Sequence, residues 1–321
     1  MSEQPIQKAI LVTGAAGRLG EQVLGRLAAE WGGGVIGIDS LAPAGTPPFD
    51  FVHAPLSAPE LTDFLKWANV GLVCHLGQSG ATTSEKLAAT KHLLQACGAA
   101  GVEKIVLASS TSVYGAQATN PAFLDERRPT QGNYDFGDNG YWLGMEAFGR
   151  GFQLQCPALK QLVLRFANVV GPTVDSPMVG YLSRPAVPVL AGFNPLLQVI
   201  HQDDVITALV QATVQEVTGT FNVAADGPLP LKRMIGLAHR PVFPLLLAAG
   251  HVAFPFAANY VRYRWVADLT KMKQEWGFFP EKSGSEAIQP ADYPHPKPTP
   301  SPRSALACNG KQLAQRLSNR Q

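Results

Sequence analysis

The sequence predicts an α/β protein, a doubly wound parallel sheet with helices on both faces and a smaller C-terminal substrate region. Three observations lead there. Through the first 110 residues, apolar strand-like runs alternate with helical patterns. The runs are apolar throughout instead of at every second position, as strands buried on both faces must be. A glycine-rich turn, Thr13-Gly14-Ala15-Ala16-Gly17-Arg18-Leu19-Gly20, joins the first strand to the first helix.

The elements follow in order. Residues 9–12 form the first strand, and 21–31 a helix with Val23, Leu24, Leu27 and Ala28 at helical spacing. Residues 35–38 are a strand, 61–67 a short helix and 70–76 a strand. A helix over 85–100 stops at Gly101, a favourable residue just past a helix end, and a strand covers 104–108. A helix over 144–154 and a strand over 161–166 continue the alternation. Beyond Gly171 the chain is irregular and rich in proline, until an acidic residue opens a helix over 203–214 and residues 221–224 supply a last strand. The organisation expected is a dinucleotide-binding domain over 1–170, a substrate-binding region over 171–286 partly interleaved with it, and a disordered tail over 287–321. In that tail Pro290, Pro294, Pro296, Pro298, Pro300 and Pro302 crowd together.

Composition narrows the function. With 26 basic and 24 acidic residues in a chain of 321, the net charge is +2, which excludes a polybasic nucleic-acid binder. Cys74, Cys97, Cys156 and Cys308 are scattered, so neither a disulfide framework nor a zinc site is expected. No basic start followed by an apolar run marks a signal peptide, and a reduced, cytoplasmic protein is the expectation. Residues 241–261 carry no Asp, Glu, Lys or Arg. Buried core, an interfacial segment or a membrane crossing all fit that stretch, although Pro241, Pro244 and Pro255 would break a spanning helix.

The glycine turn sits where a phosphate-binding fingerprint belongs, after a strand and before a helix. Gly14 permits the tight turn, Gly17 lets backbone approach a pyrophosphate, and Gly20 lets helix and strand pack closely. The helix N-terminus favours an anion. Ala16, Arg18 and Leu19 complete the cradle. Asp39 closes the second strand, where a carboxylate accepts ribose hydroxyls and repels a 2′-phosphate, so NAD is expected over NADP.

Further segments fall in one order: Val73-Cys74-His75-Leu76-Gly77, Ser109-Ser110-Thr111-Ser112-Val113-Tyr114-Gly115, Leu164-Arg165-Phe166-Ala167-Asn168-Val169-Val170-Gly171-Pro172 and His201-Gln202-Asp203-Asp204-Val205. With the glycine turn they resemble the extended short-chain dehydrogenase/reductase superfamily, in its NAD-dependent epimerase/dehydratase branch, over about residues 1–285. The resemblance implies a Rossmann-like fold, a homodimer and a cofactor site that also includes Leu76, Gly77, Ser109 and Asn168. It further implies a Ser, a Tyr and a Lys four residues after the Tyr as the reacting set. Ser110 matches the Ser.

The Tyr–Lys pair is not intact. Tyr141 is followed four residues later by Met145, and Tyr134 by Asp138. Counting back from Arg165 without gaps places Asp138 at the Tyr position and Trp142 at the Lys position. Tyr141, near the helix start, is the expected acid/base, with Tyr134 as its rival. A phenol with pKa about 10 is ionised about once in 10³ at pH 7. A Lys at ~4 Å, through an effective dielectric near 20, would add about 4 kcal/mol to the phenolate. Arg150 is a candidate substitute, although it lies nine residues past Tyr141, more than two turns along the helix. The Arg by which sugar-nucleotide members of the family hold a diphosphate is here Leu197, leaving Arg184 and Arg165 as stand-ins. An apolar or small uncharged substrate is therefore expected. His201, Asp203 and Asp204 read as a strand end and helix cap, with no metal. The interleaved Tyr260, Arg262, Tyr263, Arg264 and Trp265 have too few cations for a nucleic-acid partner. Two functions fit: an NAD(P)-dependent oxidoreductase or epimerase acting at a secondary alcohol or ketone, or a dinucleotide-binding sensor or partner subunit with weak or absent turnover.

Overall fold

A computed structural model describes residues 7–43, 49–77, 82–246 and 258–293. Seven parallel strands form the central sheet: β1 (Ala9–Thr13), β2 (Val35–Asp39), β3 (Asp50–His53), β4 (Val70–His75), β5 (Lys104–Ser110), β6 (Lys160–Phe166) and, later in the chain, β11 (Gly219–Val223). Their order is β11-β6-β5-β4-β1-β2-β3. The order reverses between β1 and β4, so the crevice beyond the carboxyl ends of those two strands is where a ligand is admitted.

Both faces are covered because every inner strand is apolar on both. Ile10 and Val12 point into a core with Val23, Leu24 and Leu27 of α1 (Arg18–Glu30) and Val205, Leu209 and Ala212 of α6 (Gln202–Val214). Leu11, Val73, Ile105 and Leu107 point the other way, against α2 (Leu61–Trp67), α3 (Thr83–Ala100) and α4 (Asn139–Gln155). A Thr82–Glu85 capping box opens α3, and Gly101 ends it with φ of +76°. Trp276 and Phe278, stacked at 4.7 Å, close the α1–α6 core from the far end of the chain.

The chain leaves the sheet at Ala167. β7 (Asn168–Val170) pairs with β10 (Val199–His201), β8 (Val187–Leu190) with β13 (Val242–Leu245), and β9 (Leu196–Leu197) with β12 (Leu229–Pro230). These strands, with α5 (Pro177–Leu182) and α7 (Leu231–Leu237), surround a second core that includes Tyr114, Leu197, Met234, Tyr260 and Trp265. Tyr260 and Trp265 are thus core residues and not a surface patch. Residues 171–286 are divided: α6 and β11 belong to the main sheet, the rest to the second core.

Several expectations are corrected. α4 starts at Asn139, five residues before Gly144, the expected start, with the Asp138 carbonyl accepting the Trp142 N–H at 3.1 Å. The cap of α6 is His201, whose Nδ1 accepts the Asp203 N–H at 3.2 Å, in place of an acidic residue. β3 has too few apolar positions to be read from sequence. The tail does not begin at 287, since Ala287, Ile288 and Tyr293 are buried in the second core; residues 294–321 lie outside the described ones. Within 241–261, residues 247–257 also lie outside them. Of the rest, 242–245 form a strand and Tyr260 is core. Among the described residues no helix is long and apolar enough to cross a membrane.

Candidate active site

A cleft of about 800 Å³ opens over the carboxyl ends of β1, β4, β5 and β6. Gly14, Gly17, Arg18, Leu19 and Gly20 line one end, Leu76, Gly77, Ser109 and Ser110 the floor, and Asp138, Trp142 and Asn168 the opposite end.

The glycine end is constrained by backbone geometry. Gly14 has φ of +70°, and a Cβ there would touch Leu76 and Gly77 at 3.3 Å. A Cβ on Gly20 would lie 2.2 Å from the Gly14 carbonyl oxygen. Gly17 caps α1 without any side-chain bond, so the first turn offers its N–H groups and dipole to the cleft. This cradle fits a dinucleotide's phosphates. Ala16 and Asp39 are placed differently from the expectation, for neither lines the cleft. The Ala16 N–H is donated to Asp39 Oδ2 at 3.1 Å, and the Leu41 N–H to Oδ1 at 3.2 Å. Asp39 is buried and ties the glycine turn to the end of β2.

Ser110 lines the cleft within a hydroxyl chain. The Ser112 hydroxyl donates to Asn139 Oδ1 at 2.5 Å. It therefore accepts in its 2.8 Å contact with Ser110 Oγ, so the Ser110 hydroxyl donates to Ser112 while accepting the Ser112 N–H at 3.2 Å, and it reaches a substrate oxygen only by exchanging that bond. Tyr260, from the second core, secures this turn by donating to the Ser112 carbonyl at 2.9 Å. Ser109 lines the cleft but donates to Glu146 at 2.6 Å. Glu146 also holds Arg165 at 2.6 Å, a buried ion pair behind the site. Arg165 is thereby removed from any ligand-binding role. The Asn168 amide donates to the Gln198 carbonyl at 2.8 Å.

Tyr141 is the main correction. Its ring borders the cleft, but its hydroxyl lies 2.9 Å from His75 Nε2 and 3.0 Å from Thr90 Oγ1, neither of which lines the cleft. The protons can be assigned. Thr13 donates to the Gly77 carbonyl at 3.1 Å, so it accepts from His75 Nδ1 at 2.6 Å. Thr90 donates to the Lys86 carbonyl at 2.9 Å, so the Tyr141 hydroxyl donates to Nε2. Burial pushes the Tyr141 phenol far above its ordinary pKa and His75 down to about 4. A neutral phenol donating to a neutral imidazole is a structural brace. Met145 is fully buried beside Tyr141.

Positions 138, 141, 142 and 145 are neighbours at i, i+3 and i, i+4 spacing. Asp138, Tyr141 and Trp142 line the cleft, whereas Met145 is buried beneath them and Glu146 turns to Arg165. Asp138 and Trp142 are the residues that counting back from Arg165 puts at the Tyr and Lys positions. Tyr134 is exposed, and Arg150 lies outside the cleft, 3.4 Å from Glu146. Leu197 is core, and Arg184 is outside the cleft. The cations lining it among the described residues are Arg18 and Lys86, and Lys86 Nζ lies 3.0 Å from Asp138 Oδ1. Nothing in the sequence marked Lys86, because 52 residues separate it from its partner. No group of metal-binding side chains occurs among the described residues.

Residues 10–224 match the profile of the NAD-dependent epimerase/dehydratase family. The chain belongs to that family. An uncharacterized protein of Mycobacterium tuberculosis (strain ATCC 25618 / H37Rv) is 30% identical over 318 residues, covering 89% of this chain and 84% of its own. A 3-diazoavenalumate denitrifying reductase of a Streptomyces species is 32% identical over 149 residues, 44% of this chain and 47% of its own. The solved structure of MoeE5 in complex with UDP-glucuronic acid and NAD superimposes with a TM-score of 0.71 at 25% identity, over 88% of this chain and 98% of that one.

Proposed function

We propose that the protein binds NAD and acts as an oxidoreductase or epimerase on a secondary alcohol or ketone that is apolar rather than a sugar nucleotide. The observation that carries the reading is one cleft that joins a glycine turn, with the N–H groups of the first turn of α1 open to an anion, to Ser110 on its floor. NAD, when bound, supplies a hydride acceptor or donor. The chain's own residues do the rest. The first turn of α1 and Arg18 hold the pyrophosphate. The buried charge of Asp39 at the end of β2 disfavours a 2′-phosphate. Ser110 donates to the substrate oxygen where negative charge develops.

The substrate class rests on the lining. Past Ser110 the cleft is walled by Phe136, Trp142, Phe166, Met178 and Trp265. A nucleoside diphosphate needs cations to replace its water, and the diphosphate-holding position is Leu197, buried in the second core. The MoeE5 structure carries UDP-glucuronic acid, so the resemblance favours sugar nucleotides while the lining favours apolar ligands. Calorimetry decides the cofactor: NAD should bind more tightly than NADP, and the absence of any NAD binding would overturn the reading. Titrating UDP-glucose and UDP-glucuronic acid onto the NAD complex should give no binding; saturable binding would restore the sugar-nucleotide class.

A second reading has its own observation. Tyr141 is locked in a buried brace and Trp142 stands at the Lys position, as in a dinucleotide sensor without turnover. NAD binding with no bound-cofactor redox change across a panel of apolar ketones and alcohols would favour it.

A further inference from the structure

The reacting end of the cleft lacks an ionisable phenol, yet it holds an ion pair. Lys86, on the first turn of α3, and Asp138, at the cap of α4, both line the cleft and meet at 3.0 Å. Residues 52 positions apart converge there, since Lys86 follows β4 and Asp138 precedes α4 and β6. The pair flanks the half of the crevice on the β4–β6 side of the topological switch, away from β2 and Asp39. The half of a dinucleotide on that side carries its reacting ring. The other charged groups lining the cleft among the described residues are Arg18, at the glycine cradle, and Asp175. Guanidinium does not release its proton in proteins, and a carboxylate carries none at neutral pH. The Tyr141 ring borders the cleft, but its hydroxyl is bonded to His75 and Thr90, which do not line it. Among the charged groups lining the cleft, Lys86 is thus the one placed to give and take a proton.

Resting on the NAD-linked reading above, we propose that Lys86, held by Asp138, is the proton donor and acceptor of the reaction in place of a tyrosine. In the reducing direction, hydride from the dihydronicotinamide forms the new C–H bond and the carbonyl π bond breaks. Lys86 gives its proton to the resulting oxygen, with Ser110 donating a hydrogen bond to the same atom. The carbonyl is reduced, the nicotinamide is oxidised, and the neutral Lys86 amine regains a proton from water past Asp138, which is half exposed. The oxidising direction is the reverse. The coupling is electrostatic. As hydride leaves, the ring turns positive, and repulsion lowers the proton affinity of the neighbouring ammonium when the proton is needed.

That coupling is measurable without a substrate, because it is reciprocal. The factor by which a positive ring weakens the Lys86 proton is the factor by which the Lys86 charge weakens NAD⁺ relative to NADH. Calorimetry on the intact protein should compare NAD⁺, NADH and ADP across wild type, Lys86→Met, Lys86→Arg and Asp138→Asn. Lys86→Met should shift the NAD⁺/NADH affinity ratio toward NAD⁺ by about tenfold. Lys86→Arg should keep the wild-type ratio, and Asp138→Asn should shift it the opposite way. ADP affinity should stay constant in all four proteins and so report that each is folded. A Lys86→Met ratio within twofold of wild type, with both cofactors still binding, would overturn the proposal. A wild type that binds neither cofactor would instead overturn the dinucleotide reading on which it rests.

Discussion

The two ends of the cleft differ in what their sequence is free to change. At the glycine end the constraint is backbone geometry: a positive φ at Gly14 and a Cβ contact of 2.2 Å at Gly20 leave no alternative residue. At the α4 end the constraint is chemical, and chemistry can be supplied from elsewhere in the chain. Asp138 and Trp142 stand at the positions where a Tyr and a Lys would belong, and Lys86 enters from a different helix. A backbone requirement ties residue type to position, whereas a proton-transfer requirement ties it only to a point in space.

The largest effect that would sharpen this contrast comes from two lysine substitutions three residues apart. Met145→Lys places an unpaired charge in a fully buried site and should cost about 3–5 kcal/mol in urea unfolding. Trp142→Lys, at a half-buried position on the cleft wall where the ammonium reaches solvent, should cost less, about 1–2 kcal/mol. Equal losses would mean that the assigned burial along α4 is wrong. At the other end, Gly20→Ala should cost about 1–3 kcal/mol through overpacking, and NAD affinity should fall at least tenfold. A neutral outcome in calorimetry would dissolve the contrast.

The brace beneath the floor gives a pH signature. His75 is held neutral, with its pKa down at about 4 against an ordinary 6.5. The unfolded chain therefore binds that proton first. The stability His75 contributes is fully present above about pH 6.5 and is lost as pH falls toward 4, at about 1.4 kcal/mol per pH unit. His75→Gln should flatten that slope between pH 6.5 and 4 in denaturant titrations, and an unchanged slope would show that another group titrates. The smallest effect is expected at the helix carrying Lys86. Thr82→Ala removes the capping box of α3 and should cost about 1 kcal/mol. It should appear as faster hydrogen exchange in the first turn of α3.

Much of the fold was legible, for definite reasons. The inner strands are apolar on both faces, α3 carries its own stop at Gly101, and the glycine turn announces itself by spacing. The short β3 and the start of α4 were not legible, because neither has a periodic apolar pattern. Of the proposed reacting set, Ser110 could be found from the segment that surrounds it. Tyr141 was misassigned because a place at the helix start was taken for a hydroxyl open to the cleft, while that hydroxyl is bonded to His75 and Thr90, 66 and 51 positions away in the chain.

By itself the sequence determined the sheet, the glycine cradle and the family, since each depends on local backbone demands and on hydrophobic pattern, which a linear string records directly. Only the tertiary structure decided that Tyr141 bonds His75 and Thr90, that Asp39 braces the turn and that Lys86 meets Asp138. Those pairings join residues from 23 to 66 positions apart. Their partners are chosen by how helices dock on the sheet, and no local propensity encodes that.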